Sequence, residues 1–284
     1  MIEHLQIRKL TPHFGAEVIG LDLSVPMSSE DFEPIRNLFL EYQLLYFGQQ
    51  QLSDSDHVRV GQQFGTLQVH VMNQYHANQH PELYRLSNVG ADGKPNGQYP
   101  DKGTLAWHTD ASWQALTGQA TLIYCEIAPK QGGETHFCDT YGLYDRLSPD
   151  WKERLQDKKA VHSLDFSRNR RHGHQPMTED QRSAVPPVEH PILRTHPDTN
   201  RKSLYLGDHA EYIKDVSYDE GRQWIDELNT IGAEDELVYR HQWSDHDFLV
   251  WDNRCLLHKV MEYDAATEKR IVRRCTVIDP RPPA

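Results

Sequence analysis

The chain has 284 residues, 37% hydrophobic and 10% aromatic, which is enough apolar side chain for a folded core and within reach of one large all-β or α/β unit. Thirty basic residues against 42 acidic ones give a formal charge of −12, which argues against a nucleic-acid or anionic-membrane partner. No apolar run is long enough to span a bilayer, the opening Met1-Ile-Glu-His-Leu-Gln6 lacks the basic flank and apolar stretch of a signal peptide, and four scattered cysteines (Cys125, Cys138, Cys255, Cys275) form no CxxC pair, so a reducing, cytoplasmic compartment is expected.

In chain order, residues 5–10 and 17–23 alternate as short strands. Ser28 with Asp31 three residues on opens a helix carrying Phe32, Ile35, Leu38, Phe39 and Tyr42 on one face. A burial-prone strand, 44–47, and a second helix over 54–64 follow. Residues 88–103 are rich in Gly, Asn, Asp and Pro and read as a long surface loop, the kind that in compact domains carries function. Beyond it come Trp107-His-Thr-Asp-Ala-Ser-Trp113, a strand at 120–127, a turn at 129–133 and another strand. Ser148-Pro149 is a helix start. Residues 167–190 look basic and irregular, a lid, a linker or a solvated excursion. The last third offers a strand at 201–206, a helix at 218–230 capped by Ser217 and Glu220, and strands at 236–243, 247–251 and 273–278. Many short strands with a few flanking helices predict a mainly β protein, a sandwich or jelly roll with helices outside.

Seventeen histidines make metal chemistry worth seeking. A His-x-Asp pair can supply two ligands of a two-histidine, one-carboxylate iron site, with the third histidine coming from elsewhere in the chain. The two such pairs, His108-Thr-Asp110 and His196-Pro-Asp198, are about what composition alone would give, so context must separate them. His196-Pro-Asp198 sits among Pro and Asn and reads as a solvated turn. His108-Thr-Asp110 lies between two tryptophans at the exit of the glycine-rich loop, as a ligand pair or a satisfied core histidine. His258 ends the run Trp251-Asp-Asn-Arg-Cys-Leu-Leu-His258, a strand, a tight turn and a second strand. Arg270 and Arg274 share one face of an extended strand; two such guanidiniums either face solvent or bind anions.

Trp107-His-Thr-Asp110, Gly132-Gly-Glu-Thr135, Trp251-Asp-Asn-Arg254 with His258, and Arg270-Ile-Val-Arg-Arg274 occur in an order and spacing that resemble the taurine / 2,4-dichlorophenoxyacetate dioxygenase family of Fe(II)/2-oxoglutarate enzymes. The similarity runs from about residue 10 to 280. It is greatest to the 2,4-dichlorophenoxyacetate branch, through Pro186-Pro187, Arg194-Thr-His196, Arg201-Lys202 and the segment 239–243. The resemblance implies one domain over 1–284 with a double-stranded β-helix (jelly-roll, cupin-like) core. Active-site lids are implied around 74–103 and 167–190. It implies Fe(II) held by His108, Asp110 and His258, and 2-oxoglutarate held at its distal carboxylate by Thr135 and Arg270. Arg274 would take the acidic group of the primary substrate, with His70, His209 and Tyr212 as further substrate contacts. The herbicide-degrading enzymes have a histidine where this chain has Tyr212; a phenol donates one hydrogen bond but brings no positive charge.

The implied reaction uses Fe(II), 2-oxoglutarate and O2 to hydroxylate a small acidic substrate, an aryloxyalkanoate-like carboxylate. It releases succinate and CO2, with ether cleavage where the hydroxylated carbon bears an ether oxygen. Asp110 at the carboxylate position argues against halogenation. The same chemistry on a sulfonate such as taurine, an N-acyl amino acid or a natural-product intermediate is the alternative; a non-oxidative jelly-roll metalloprotein or a binding module is more remote. A homo-oligomer is also implied.

Overall fold

The computed structural model describes residues 5–171, 177–231 and 234–284. Residues 1–4 of the opening segment and 172–176 within the second expected lid lie outside the described residues. Among the described residues there are sixteen strands and seven α-helices, the mainly β architecture expected.

The strand Gly118–Ile127 is the spine. It pairs antiparallel with Phe248–Asp252 on one side and Ile271–Ile278 on the other. Leu44–Phe47, Ala16–Ile19 and Gln6–Lys9 extend the sheet beyond the first neighbour, and His80–Ser87 and His76–Ala77 beyond the second, making eight strands. Phe248–Asp252 is buried throughout because this part of the sheet is covered on both faces, and so it reads as a continuous apolar run rather than an alternating one.

One face carries the helices Ser29–Tyr42 and Asp54–Phe64, packed through Phe32, Ile35, Phe39, Val58 and Phe64. The Ser28 hydroxyl accepts the Asp31 N–H, and Ser53 with Asp56 forms a full capping box, so both helices begin where the sequence indicates. The other face meets a three-stranded sheet, Val238–His241, Thr135–Asp139 and Leu256–Val260, across a core of Phe137, Leu249, Trp251 and Val272. Two facing sheets of this kind form the jelly-roll, double-stranded β-helix core. A third apolar cluster lies beneath the helix Tyr218–Ile231. Among the described residues no helix is long and apolar enough to cross a membrane.

Two expected lid segments contain more regular structure than their composition suggested. His80–Ser87, inside 74–103, is a strand of the main sheet paired with Ile271–Ile278, so the loop itself starts at residue 88. The stretch 167–190 includes the end of a helix, Leu164–Arg171, a short helix Glu179–Ala184 capped by Thr178, and the strand Val188–Pro191. Three arginines in the last turn of Leu164–Arg171 masked its helical pattern.

Candidate active site

His108 and Asp110 follow the loop at 88–103, and His258 lies on the strand Leu256–Val260. An isolated antiparallel bridge joins His108 to His258: His108 N–H donates to the His258 carbonyl at 3.0 Å and His258 N–H to the His108 carbonyl at 2.8 Å. The rings stand 4.1 Å apart. One donor atom from each of His108, Asp110 and His258 lies within 4.8 Å of the others, all three residues being buried. The Ala106 carbonyl sits 2.8 Å from His108 Nδ1; since a carbonyl only accepts, Nδ1 carries the proton and Nε2 presents its lone pair toward Asp110. The donor set and its facial arrangement therefore fit a divalent metal of the two-histidine, one-carboxylate type.

The carboxylate is held by a relay that runs through Asn253. Asn253 Nδ2 donates to Thr121 Oγ1 at 2.9 Å, and Thr121 Oγ1 donates to Asp110 Oδ2 at 2.7 Å. Asn253 Oδ1 accepts the Asp110 N–H at 3.2 Å and the Trp251 indole N–H at 3.0 Å. A Cβ on Gly118 would stand 2.6 Å from the Asp110 carbonyl oxygen, so only glycine allows this approach. The turn bearing Asn253 is itself fixed, because Arg254, fully buried, grips both Asp252 oxygens at 2.8 and 2.6 Å. The sequence reading took Asp252-Asn253 only as a tight turn; the roles of Asn253, Thr121 and Gly118 left no periodic or compositional trace.

Burial alone would raise the Asp110 carboxyl, but the neighbouring Arg274 charge, with His258 and His108, holds it below the usual carboxylate range. Burial, reinforced by His108, pushes His258 well below the ordinary imidazole value, leaving its ring neutral. Arg274 Nη1 lies 2.5 Å from Asp110 Oδ1, and its guanidinium stacks over Tyr84 at 4.9 Å. It points into a narrow cavity of about 50 Å³ whose lining includes His70, Tyr84, Asp110, Trp113, His209 and Arg274. The solvated-edge alternative for the two arginines fails, since Ile271–Ile278 is flanked by strands on both sides.

Arg270 immediately precedes that strand and gives its N–H to Asn88 Oδ1 at 2.8 Å instead of to a ladder partner. It is 4% exposed, and its Nε and Nη2 have no hydrogen-bond partner among the described residues. Burial lowers its pKa. Thr135, at the start of Thr135–Asp139, accepts the Trp243 indole N–H at 2.9 Å.

The model of the family described as "Taurine catabolism dioxygenase TauD, TfdA family" matches residues 6–276. The chain belongs to this family. It is 34% identical over 280 residues to the alpha-ketoglutarate-dependent 2,4-dichlorophenoxyacetate dioxygenase of Cupriavidus pinatubonensis, covering 95% of this chain and 96% of that one. It is 30% identical over 279 residues to the (S)-phenoxypropionate/alpha-ketoglutarate-dioxygenase of Sphingobium herbicidovorans, covering 94% and 92%. A crystal structure of AAD-2 in complex with Mn(II) and N-oxalylglycine superposes with a TM-score of 0.87 at 32% identity, over 99% of this chain and 98% of that one. As a member of the TauD/TfdA family, the protein is a dioxygenase dependent on Fe(II), 2-oxoglutarate and O2.

Within this TauD/TfdA site the expected substrate residues divide. His70 accepts the Met72 N–H at Nδ1, 3.0 Å, and packs against Tyr84 and Trp113, so its neutral ring carries the proton on Nε2. Burial, then the Arg274 charge, lowers its pKa to about 3. His209 lines the same cavity and pairs through Nδ1 with Ser112 Oγ at 3.0 Å; burial and the adjacent His108 lower it to about 4. Tyr212 is corrected. On Ala210–Ile213 its side chain is 36% exposed, faces Tyr218 and does not line the cavity; the strand's pairing shifts register between Ala210 and Tyr212, so the two do not share a face as plain alternation would have it.

The reading of His196-Pro-Asp198 as a solvated turn also fails. His196 is 1% exposed, with Nε2 3.0 Å from Asp252 Oδ2, and Asp198 pairs with Arg254 and Arg281. His196, Asp252 and Cys255 form a second cluster of metal-ligating types, but Arg254 already occupies both Asp252 oxygens, making the cluster part of an ion-pair network.

Proposed function

We propose that the protein oxidises a small organic acid of the aryloxyalkanoate kind, with 2-oxoglutarate as co-substrate and succinate and CO2 as co-products. The observation that carries the substrate class is Arg274. Its guanidinium stands beside Asp110, at the metal position, in a cavity whose lining sets the apolar Met72, Tyr84, Trp113 and Leu164 among polar residues such as His70, Ser167 and His209. An anion clamp next to an aromatic wall suits a carboxylate joined to a ring.

His108, Asp110 and His258 would hold Fe(II), which when bound supplies the oxygen chemistry. The protein's part is position, charge and exclusion of water. The fully buried Arg270 offers unpaired N–H groups to the distal carboxylate of 2-oxoglutarate. Trp243 occupies a lone pair of Thr135 Oγ1, which leaves the hydroxyl proton for the same carboxylate. His70, protonated at Nε2, can donate beside Arg274 to the substrate's acidic group. A hydroxyl placed on a carbon that also bears an ether oxygen leaves that carbon free to collapse to a carbonyl, with loss of the alcohol or phenol.

The cavity is narrow, about 50 Å³. Asp101, Gly103 and Thr104 on one side and Leu164, Ser167 and Arg168 on the other form part of its lining. These segments, from 88–105 and the helix Leu164–Arg171, would part to admit substrate and close over it.

The test is succinate formation from 2-oxoglutarate with a panel of aryloxyacetates, aryloxypropionates, taurine and alkyl sulfates. Stimulation by the aryloxy acids is expected. Stimulation by taurine or the sulfates with none by carboxylates would overturn the substrate class.

A further inference from the structure

The hairpin that delivers Thr135 continues beyond its strand along residues 261–263. Val260 pairs with Thr135, Met261 N–H donates to the Glu134 carbonyl at 2.7 Å, and Gly133 N–H to the Glu262 carbonyl at 3.2 Å. A Cβ on Gly132 would stand 2.4 Å from the Glu262 carbonyl oxygen and 3.1 Å from Tyr263 Cα, and one on Gly133 would stand 3.6 Å from Tyr263 Cδ1. Both glycines have φ above +70°, where side chains are disfavoured. The Gly132-Gly133 turn is therefore shaped to lie against Tyr263.

A second device sets Tyr263 from the other side. The Tyr99 hydroxyl, in the loop at 88–103, donates to the Tyr263 carbonyl at 2.6 Å and accepts the Tyr263 N–H at 3.1 Å, with the two rings edge to face at 5.2 Å. Gly97 and Asn88 of the same loop bind the carbonyls of Ala265 and Glu268, and Asn88 binds the Arg270 N–H. Residues 263–270 are thus moored to that loop at several points.

With its backbone so fixed, Tyr263 still ends in a buried hydroxyl without a hydrogen-bond partner among the described residues, and Nε and Nη2 of the buried Arg270 likewise have none there. The one loop at 88–103 fixes both residues, Tyr99 at the Tyr263 backbone and Asn88 at the Arg270 N–H, and the charge of each offsets part of the other's burial shift. Stranding a phenol and a guanidinium together in a protein interior is costly unless an acceptor joins them.

We infer that the Tyr263 hydroxyl is a further donor to the distal carboxylate of 2-oxoglutarate, acting with Arg270 and Thr135. This rests on the proposed function above. It gives the pocket a neutral donor beside its cation, and it makes the Gly132-Gly133 turn a part of co-substrate recognition as well as the lead-in to Thr135.

The test is anaerobic calorimetric titration of the Mn(II)-loaded protein with 2-oxoglutarate and, separately, with oxalate, which chelates the metal but has no distal carboxylate. Tyr263→Phe should weaken 2-oxoglutarate about ten- to a hundred-fold, the size expected for a hydrogen bond to a charged group, and leave oxalate affinity and thermal midpoint unchanged. An unchanged 2-oxoglutarate affinity, or an equal loss for oxalate, would overturn the inference. Arg270→Ala separates the two levels. If it abolishes 2-oxoglutarate binding while Tyr263→Phe does nothing, only the Tyr263 assignment falls. If the wild type binds oxalate but not 2-oxoglutarate, the proposed function falls and takes this inference with it.

Discussion

Asn253 Oδ1 accepts the main-chain N–H of Asp110 at 3.2 Å, tying a turn between two sheet strands to the carboxylate at the centre of the site. The same side chain reaches Asp110 Oδ2 through Thr121, so one amide sets both the backbone and the side chain of the ligand.

Asn253→Ala should therefore lower metal affinity about ten- to a hundred-fold, the usual scale for residues that orient a metal ligand. Mn(II) titration of folded protein measures this. Wild-type affinity in the variant would show that Asp110 is held by the fold without the amide.

Gly118→Ala tests the close approach at Asp110. The added Cβ meets a carbonyl oxygen at 2.6 Å, and neither backbone can yield easily. A destabilisation of about 1–3 kcal/mol should accompany a loss of metal affinity. Unfolding in urea and metal titration on the same samples check both; a fully stable variant with intact affinity would mean that the 110–118 segment can shift at no cost.

The two arginines should separate kinetically. Arg274→Ala should raise KM for the primary substrate steeply while uncoupled 2-oxoglutarate turnover largely survives, and Arg270→Ala should raise KM for 2-oxoglutarate instead. The structure adds a condition: Arg274 is also the nearest cation to Asp110, so its loss should ease protonation of that carboxylate, and the assays belong at neutral pH or above. The opposite pattern of KM changes would exchange the two roles.

Much of the fold was legible because its signals are local. The helix capped at Ser28, the helix over 54–64 and the apolar strand Leu44–Phe47 each announce themselves within a dozen residues. The pair at His108 was legible through its setting between Trp107 and Trp113. What failed were features created by distant partners. His196 looks solvated beside Pro197, yet Asp252 and Arg254, more than fifty positions on, make it part of a buried network. Tyr212 looks like a substrate residue by position, yet it lies past a register shift in its strand and faces Tyr218 and solvent. Asn253 acts on Asp110 from a turn more than 140 positions on, and Thr121 from the adjoining strand, between that amide and the carboxylate, and no periodicity reports that.

Stability should fall on mild acidification, and His57 supplies a measurable share. It is fully buried in the helix Asp54–Phe64, with Nε2 3.2 Å from the Leu122 carbonyl. Burial, then the Arg273 charge, lowers its pKa to about 3 from an ordinary 6.5. The unfolded chain thus takes up a proton below about 6.5 that the folded chain refuses until about 3, so its contribution is complete above that window and is lost as pH falls through it. Between pH 7.5 and 5 this one group should remove about 2 kcal/mol. His57→Gln should show a shallower pH dependence by that amount in urea unfolding; identical slopes would mean that His57 is protonated in the folded protein.

The most direct measurement is visible spectroscopy of the protein given Fe(II) and 2-oxoglutarate without oxygen. A weak metal-to-ligand charge-transfer band is expected, absent from Asp110→Ala and perturbed by aryloxy acids in the wild type but not in Arg274→Ala. Folded, iron-loaded protein that gives no band with 2-oxoglutarate would contradict the assignment of His108, Asp110 and His258 as the centre of the site.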